Sequence, residues 1–268
     1  RFMSRAYRRP VMGEEVDRFL EVYNLLKPQL GSIEAAMRET LAMLLVTPQF
    51  LLHTKADGKP IRHASELASS LSYFLWGSMP DRVLYKLALS GELNDSEVIA
   101  EQVKRMLADP RSEDFVSNFT NQWLSLAKMK TVPINRDLYP RFLYYVEAGE
   151  RAGTEKPYIP TIRDYMMDET IGFVRELIRR NASVTNLVDS DFAMLNQSLA
   201  AHYGVEGVEG QRLRPVEIKA EHHLGGLLTQ GSVLIGNGTG SAPHPIYRAV
   251  WLREAILGDE VKAPPAEV

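Results

Sequence analysis

Helix-length segments punctuated by caps and stops constrain this chain more than any other feature. Between Pro10 and Pro28, Val16, Phe19, Leu20, Tyr23 and Leu26 recur at helical spacing. Ser32 is placed to cap a helix carrying Ile33, Met37, Leu41 and Leu44, and Pro48 disfavours helical geometry at Thr47. Ser65 opens a segment with Leu67, Leu71, Phe74 and Leu75 on one face. Pro80-Asp81 restarts the chain before Val83, Leu84, Leu87 and Ala88, and Asp95-Ser96 caps a stripe of Ile99, Val103, Met106 and Leu107 that Asp109-Pro110 closes. Phe115, Phe119, Trp123 and Leu126 form the next stripe. Caps and stops that return roughly every 15 residues predict a mainly α fold, a helical array or bundle with little strand.

The pattern loosens after residue 127. Residues 149–157 are polar and aperiodic and are predicted to form an exposed loop. Ile162, Tyr165, Met166, Phe173, Val174, Leu177 and Ile178 then mark a strong helix ending near Asn181. Asp191 is predicted to cap a helix from Phe192 to Tyr203, with Gly204 as its left-handed stop. Residues 205–220, rich in Val, Gly and Pro, leave room for a short extended piece. No repeat of solenoid length is visible.

Composition narrows the function classes. The 268 residues include 31 Lys+Arg and 34 Asp+Glu, a net charge of −3, which excludes a dedicated polycation and gives no global sign of nucleic-acid binding. No run is long and apolar enough to span a bilayer. Cysteine is absent. Disulfides, thiolate metal sites, a cysteine nucleophile and covalent c-type haem are therefore excluded from this chain. The first ten residues contain no apolar signal-peptide core, and the last six read as a linker, so the chain is expected to be part of a longer protein.

The C-terminal quarter is the chemically suggestive part. Residues 221–245 hold three of the six histidines and are dense in glycine, which allows positive φ and close backbone approach. An amphipathic helix is predicted from about Ile246 to Leu257. One reading is an anion cradle: Gly236, Gly238 and Gly240 precede that helix, with Asn237, Thr239, Ser241 and Arg248 as polar contacts. The spacing is neither a P-loop nor a dinucleotide fingerprint, and a tight structural loop is the plainer alternative. A second reading is a metal or haem site using His223 and His244, with His222, His202, Glu221 and Asp191 as further candidates. No recognised ligand spacing supports it, and capping or core-edge histidines are the plainer alternative. A serine hydrolase is disfavoured, because Ser232 directly follows Gly231 and no G-x-S-x-G elbow exists. Nothing local recommends a carboxylate-pair glycosidase.

Other features read as structural. Phe74-Leu75-Trp76 and Trp123 sit at core spacing, and the methionines read as gap-fillers. Arg1, Arg5, Arg8 and Arg9 suit a solvated face or a truncated element better than a phosphate site. Asn118, Asn181, Asn196 and Asn237 lie in glycosylation sequons, which matter only in a secretory host.

Several longer strings carry a family resemblance. They are residues 5–10 and 47–52; residues 71–81 and 106–111; Leu195-Asn196 with His202-Tyr203-Gly204; and residues 225–230, 237–239 and 243–251. Together they resemble three consecutive helical domains of unknown function in large planctomycete-type, cytochrome c-associated proteins. The resemblance implies modules at 1–54, 55–204 and 205–268, the last packing with the central one as a single compact unit. It implies an extracytoplasmic location, periplasmic or secreted. It also implies a partner, a cytochrome c-type domain of the same or another polypeptide. It carries over no catalytic residue and no cofactor. Related sequences read N-G-T-R-T-S-P where this chain has Asn237 to Pro243, so Gly240 replaces an arginine. The expected role is an exported, redox-associated module that packs on, or presents substrate to, a haem domain. The alternatives are a carbohydrate-binding or carbohydrate-processing module, and a scaffold without ligand. Exposed coplanar Trp and Tyr rings would favour the former; a loop closed by internal hydrogen bonds would favour the latter.

Overall fold

The structure, a computed structural model, describes residues 2–52, 64–139 and 161–261. The loop expected at 149–157 and the linker expected after residue 262 lie outside the described residues. The fold is mainly α, with a single two-stranded sheet among the described residues. The chain divides into two compact units, Arg1–Phe115 and Val116–Val268.

The first unit contains α1 (Phe2–Ala6), α2 (Gly13–Leu30), α3 (Ile33–Leu45), α4 (Pro48–Leu51), α5 (Ala64–Trp76), α6 (Arg82–Ser90) and α7 (Ser96–Leu107); α8 (Ser112–Trp123) begins in it. The local chemistry sets their ends. The Ser32 hydroxyl accepts the Ala35 N–H, Asp81 accepts the Leu84 N–H, and Asp95 accepts the Glu97 N–H. Each such cap stabilises its helix by about 1 kcal/mol. Gly31 and Gly91 adopt the left-handed conformation that stops α2 and α6. One core gathers Met3, Ala6, Tyr7 and Leu44, another Ala68, Leu75, Trp76, Leu84, Leu93 and Met106.

Helix ends in this unit are joined by cations. Arg8, buried, donates to the carbonyls of Gln49, Phe50 and Leu52 at 3.0–3.2 Å, neutralising the negative end of α4. Arg9 grips Glu15 bidentately at 2.7 and 2.9 Å. That bond holds the Glu15 carboxyl down at about 2. The indole N–H of Trp76 donates to the Met106 carbonyl, and the Arg111 guanidinium lies 3.5 Å from its ring centre. Arg111 is bound by Asp109, and Arg105 by Asp81, each at 2.7 Å. The strings at 71–81 and 106–111 thus meet in one structural joint.

The second unit contains the rest of α8, then α9 (Lys128–Thr131), α10 (Ile162–Arg180), β1 (Phe192–Leu195), α11 (Gln197–Tyr203), β2 (Arg214–Glu217), α12 (Gly231–Gly236) and α13 (Pro245–Trp251), which runs into a π turn over Leu252–Ile256. Thr161 and Asp164 form a capping box at the start of α10, and left-handed Asn181 ends it. β1 and β2 pair antiparallel, Phe192 opposite Glu217 and Leu195 opposite Arg214. The core packs Met129, Ile162, Met166, Leu195 and Leu199 together.

Two expectations need correction. Asp191 does not cap a helix: Phe192–Leu195 is a fully buried strand on α10, and the helix starts after Asn196, whose side chain accepts the Leu199 N–H. A four-residue apolar run carries no period that separates strand from helix, and pairing with residues 214–217 decides it. Phe74 is not core: it is 63% exposed and meets Phe115 at 4.8 Å, while Leu75 and Trp76 are buried.

Candidate functional site

The glycine-rich segment of the second unit builds a cavity of about 300 Å³. Its base is α12, which contributes Leu234 and Ile235. The turn after α12 contributes Gly238, Gly240, Ala242 and Pro243; α13 contributes Arg248; and the segment after α9 contributes Ile134 and Tyr139.

The turn is closed from within. Gly238 and Pro243 form an isolated antiparallel bridge. The Thr239 N–H donates to the Ala242 carbonyl, and the Ala242 N–H donates back to the Thr239 hydroxyl, both at 3.1 Å. Buried Asn237 donates its amide to the Val233 carbonyl at 3.0 Å. The segment after α9 is strapped across the turn at two points. The Asn135 N–H donates to the Gly240 carbonyl at 2.9 Å, and the Tyr139 hydroxyl donates to the Ser241 carbonyl at 3.2 Å. Gly240 makes the strap possible. Its φ is +81°, and a Cβ there would run into the Pro133 carbonyl.

Arg248 is the exception to this closure. It lines the cavity, and its Nε is buried with no hydrogen-bond partner. None of the ion pairs among the described residues involves it. Along that edge the guanidinium has lost water and found no acceptor to replace it, which is costly for a donor.

The expected site residues therefore separate. Asn237 and Thr239 shape the turn, and exposed Ser241 offers its carbonyl to Tyr139. His244 caps α13: its Nδ1 accepts the Tyr247 N–H at 3.2 Å, and its ring stacks on Tyr247 at 3.6 Å. His223 is exposed and ends a short turn in left-handed geometry, while His222 Nδ1 accepts the Lys219 N–H. Among the described residues no three His, Asp or Glu side chains converge to hold a metal ion.

A second polar cluster lies beneath α12. Glu169, fully buried on α10, accepts a 2.7 Å hydrogen bond from the Tyr203 hydroxyl, which itself accepts the Gly231 N–H. Burial pushes the Glu169 carboxyl up to about 8, against the lowering effect of Tyr203, so it is protonated at neutral pH. Thr170 beside it donates to Gln230 Oε1 at 2.7 Å and meets the Ser232 hydroxyl at 2.5 Å. Sequence reading missed this cluster. The signal was present: Glu169 and Thr170 interrupt the apolar face between Met166 and Phe173. Ile134 and Tyr139 had no local signal, since their partners lie about a hundred residues away.

Three family models match in succession: PSD5, protein of unknown function (DUF1595), over residues 1–54; PSD4, protein of unknown function (DUF1592), over 63–205; and PSCyt3, protein of unknown function (DUF1588), over 224–268. The three domains are known as planctomycete cytochrome c-associated modules. No curated protein and no solved structure matches the chain. The PSCyt3 match contains every cavity residue contributed by α12, the turn and α13, and the PSD4 match covers more than half of the chain, which belongs to that family.

Proposed function

We propose that the chain is an exported, redox-associated helical module of a multi-domain cytochrome-type protein, divided into segments 1–54, 55–204 and 205–268, and that it presents a small substrate to a haem domain. The succession of three cytochrome-associated family models carries this reading. The chain has no cysteine, so any covalent c-type haem is held by another domain or polypeptide. No helix among the described residues is long and apolar enough to cross a membrane. The cavity offers one guanidinium, the ring of Tyr139 and apolar walls, a set suited to holding a ligand. Of the candidate contacts, Arg248 is the one assigned to the ligand; Asn237, Thr239 and Ser241 support it through the turn.

Antibodies raised against residues 1–268 test the reading in fractionated source cells. The expected antigen is extracytoplasmic, and it stains for haem or co-precipitates a haem-staining polypeptide. A cytoplasmic antigen with no haem in either band overturns it. The internally bonded turn favours the scaffold alternative, which leaves Arg248 unexplained. A polysaccharide platform has less support: Trp76 and Trp251 are buried, and the Trp123 indole N–H donates to the Ala255 carbonyl at 2.6 Å.

A further inference from the structure

The cavity around Arg248 has a volume at the lower end of the range for small-molecule sites, roughly 300–1,000 Å³. Ile134, Leu234 and Pro243 supply apolar wall, and Tyr139 an aromatic one whose hydroxyl is already engaged by Ser241. The one charge among the lining residues is Arg248, with its Nε buried and unpartnered. A polyanion such as phosphate requires more donors than one guanidinium on such walls. A carboxylate requires only one, because the planar guanidinium matches it in a fork geometry.

We infer that this cavity binds a small organic carboxylate with an apolar body, its carboxylate on Arg248 and its body between Ile134, Leu234 and Tyr139. The inference rests on the reading of the cavity as the site that presents substrate. It adds the ligand's chemical class. Binding places an acceptor against a guanidinium whose Nε has none and which makes no ion pair among the described residues, so the charged end contributes affinity and the walls contribute size selection.

Isothermal titration of the intact chain at fixed ionic strength tests it with benzoate, its neutral isostere benzamide, and inorganic phosphate. Benzoate is expected to bind one-to-one, on the order of 10- to 100-fold more tightly than benzamide. Arg248→Met is expected to abolish that preference, and Arg248→Lys to keep part of it. Benzamide binding as tightly as benzoate overturns the carboxylate class while leaving a ligand cavity in place. Phosphate binding more tightly than benzoate overturns it in favour of an inorganic anion. Binding by none of the three overturns both the class and the cavity's role. The comparison of benzoate with benzamide needs only the unaltered chain, so a variant that fails to fold does not remove the test.

Discussion

The two units differ in what their arginines and carboxylates meet. In Arg1–Phe115, cations close helix ends: Arg8 meets three carbonyls, Arg9 meets Glu15, and Arg105 and Arg111 meet Asp81 and Asp109 around Trp76. In Val116–Val268, buried Glu176 is likewise paired, with Arg179 and Arg180 at 2.6 Å, but Glu169 is buried and protonated with a phenol as its donor, and Arg248 holds a buried Nε with no partner. Paired charge at helix ends stabilises a fold. A donor buried without an acceptor costs stability instead. The contrast directs attention to the second unit for function and to the first for support.

The largest expected effect tests how tightly the cavity strap is built. Gly240→Arg places a side chain at positive φ against the Pro133 carbonyl. Strain and clash together are expected to cost at least about 3 kcal/mol, read as a lowered midpoint in chemical denaturation. A variant as stable as the parent shows that the strap moves aside.

Next comes pH. Glu169 titrates near 4.5 when unfolded and about 8 when folded. Between those values the folded chain holds the extra proton, so raising the pH favours unfolding. The contribution is complete below about pH 4.5 and lost as pH rises through about 8, with a slope of up to about 1.4 kcal/mol per pH unit. Glu169→Gln is expected to remove that slope. Denaturation midpoints that fall equally steeply with pH in both proteins assign the effect to other groups.

Two arginine substitutions then set the units side by side. Arg8→Met leaves three carbonyls without their donor and is expected to cost about 2 kcal/mol. Arg248→Met removes a half-buried cation that makes no ion pair among the described residues, and is expected to change stability by less than about 0.5 kcal/mol, or to raise it slightly. Thermal unfolding of both variants decides. Equal losses would erase the distinction between the units.

Much of the fold was legible because helix ends are local. Ser32, Asp81, Asp95 and Gly204 act within a few residues of themselves, and each lies where the sequence predicts a boundary. The site was legible only in part. The glycine-rich segment marked the right region, and Arg248 was among its candidates. Asn237, Thr239 and His244 carry donors and acceptors that suit a ligand as well as a turn, and their spacing does not tell which.

The amino-acid sequence by itself determined the mainly helical class, the positions of most caps and stops, and the exclusion of cysteine chemistry. These follow from side-chain type and from contacts a few residues apart. Only the tertiary structure decided that Phe192–Leu195 is a strand, that Glu169 is buried and protonated, and that Tyr139 spans 102 residues to reach Ser241. Each depends on segments distant in sequence meeting in space. Burial, which sets whether a charge is paired or stranded, exists only once they have met.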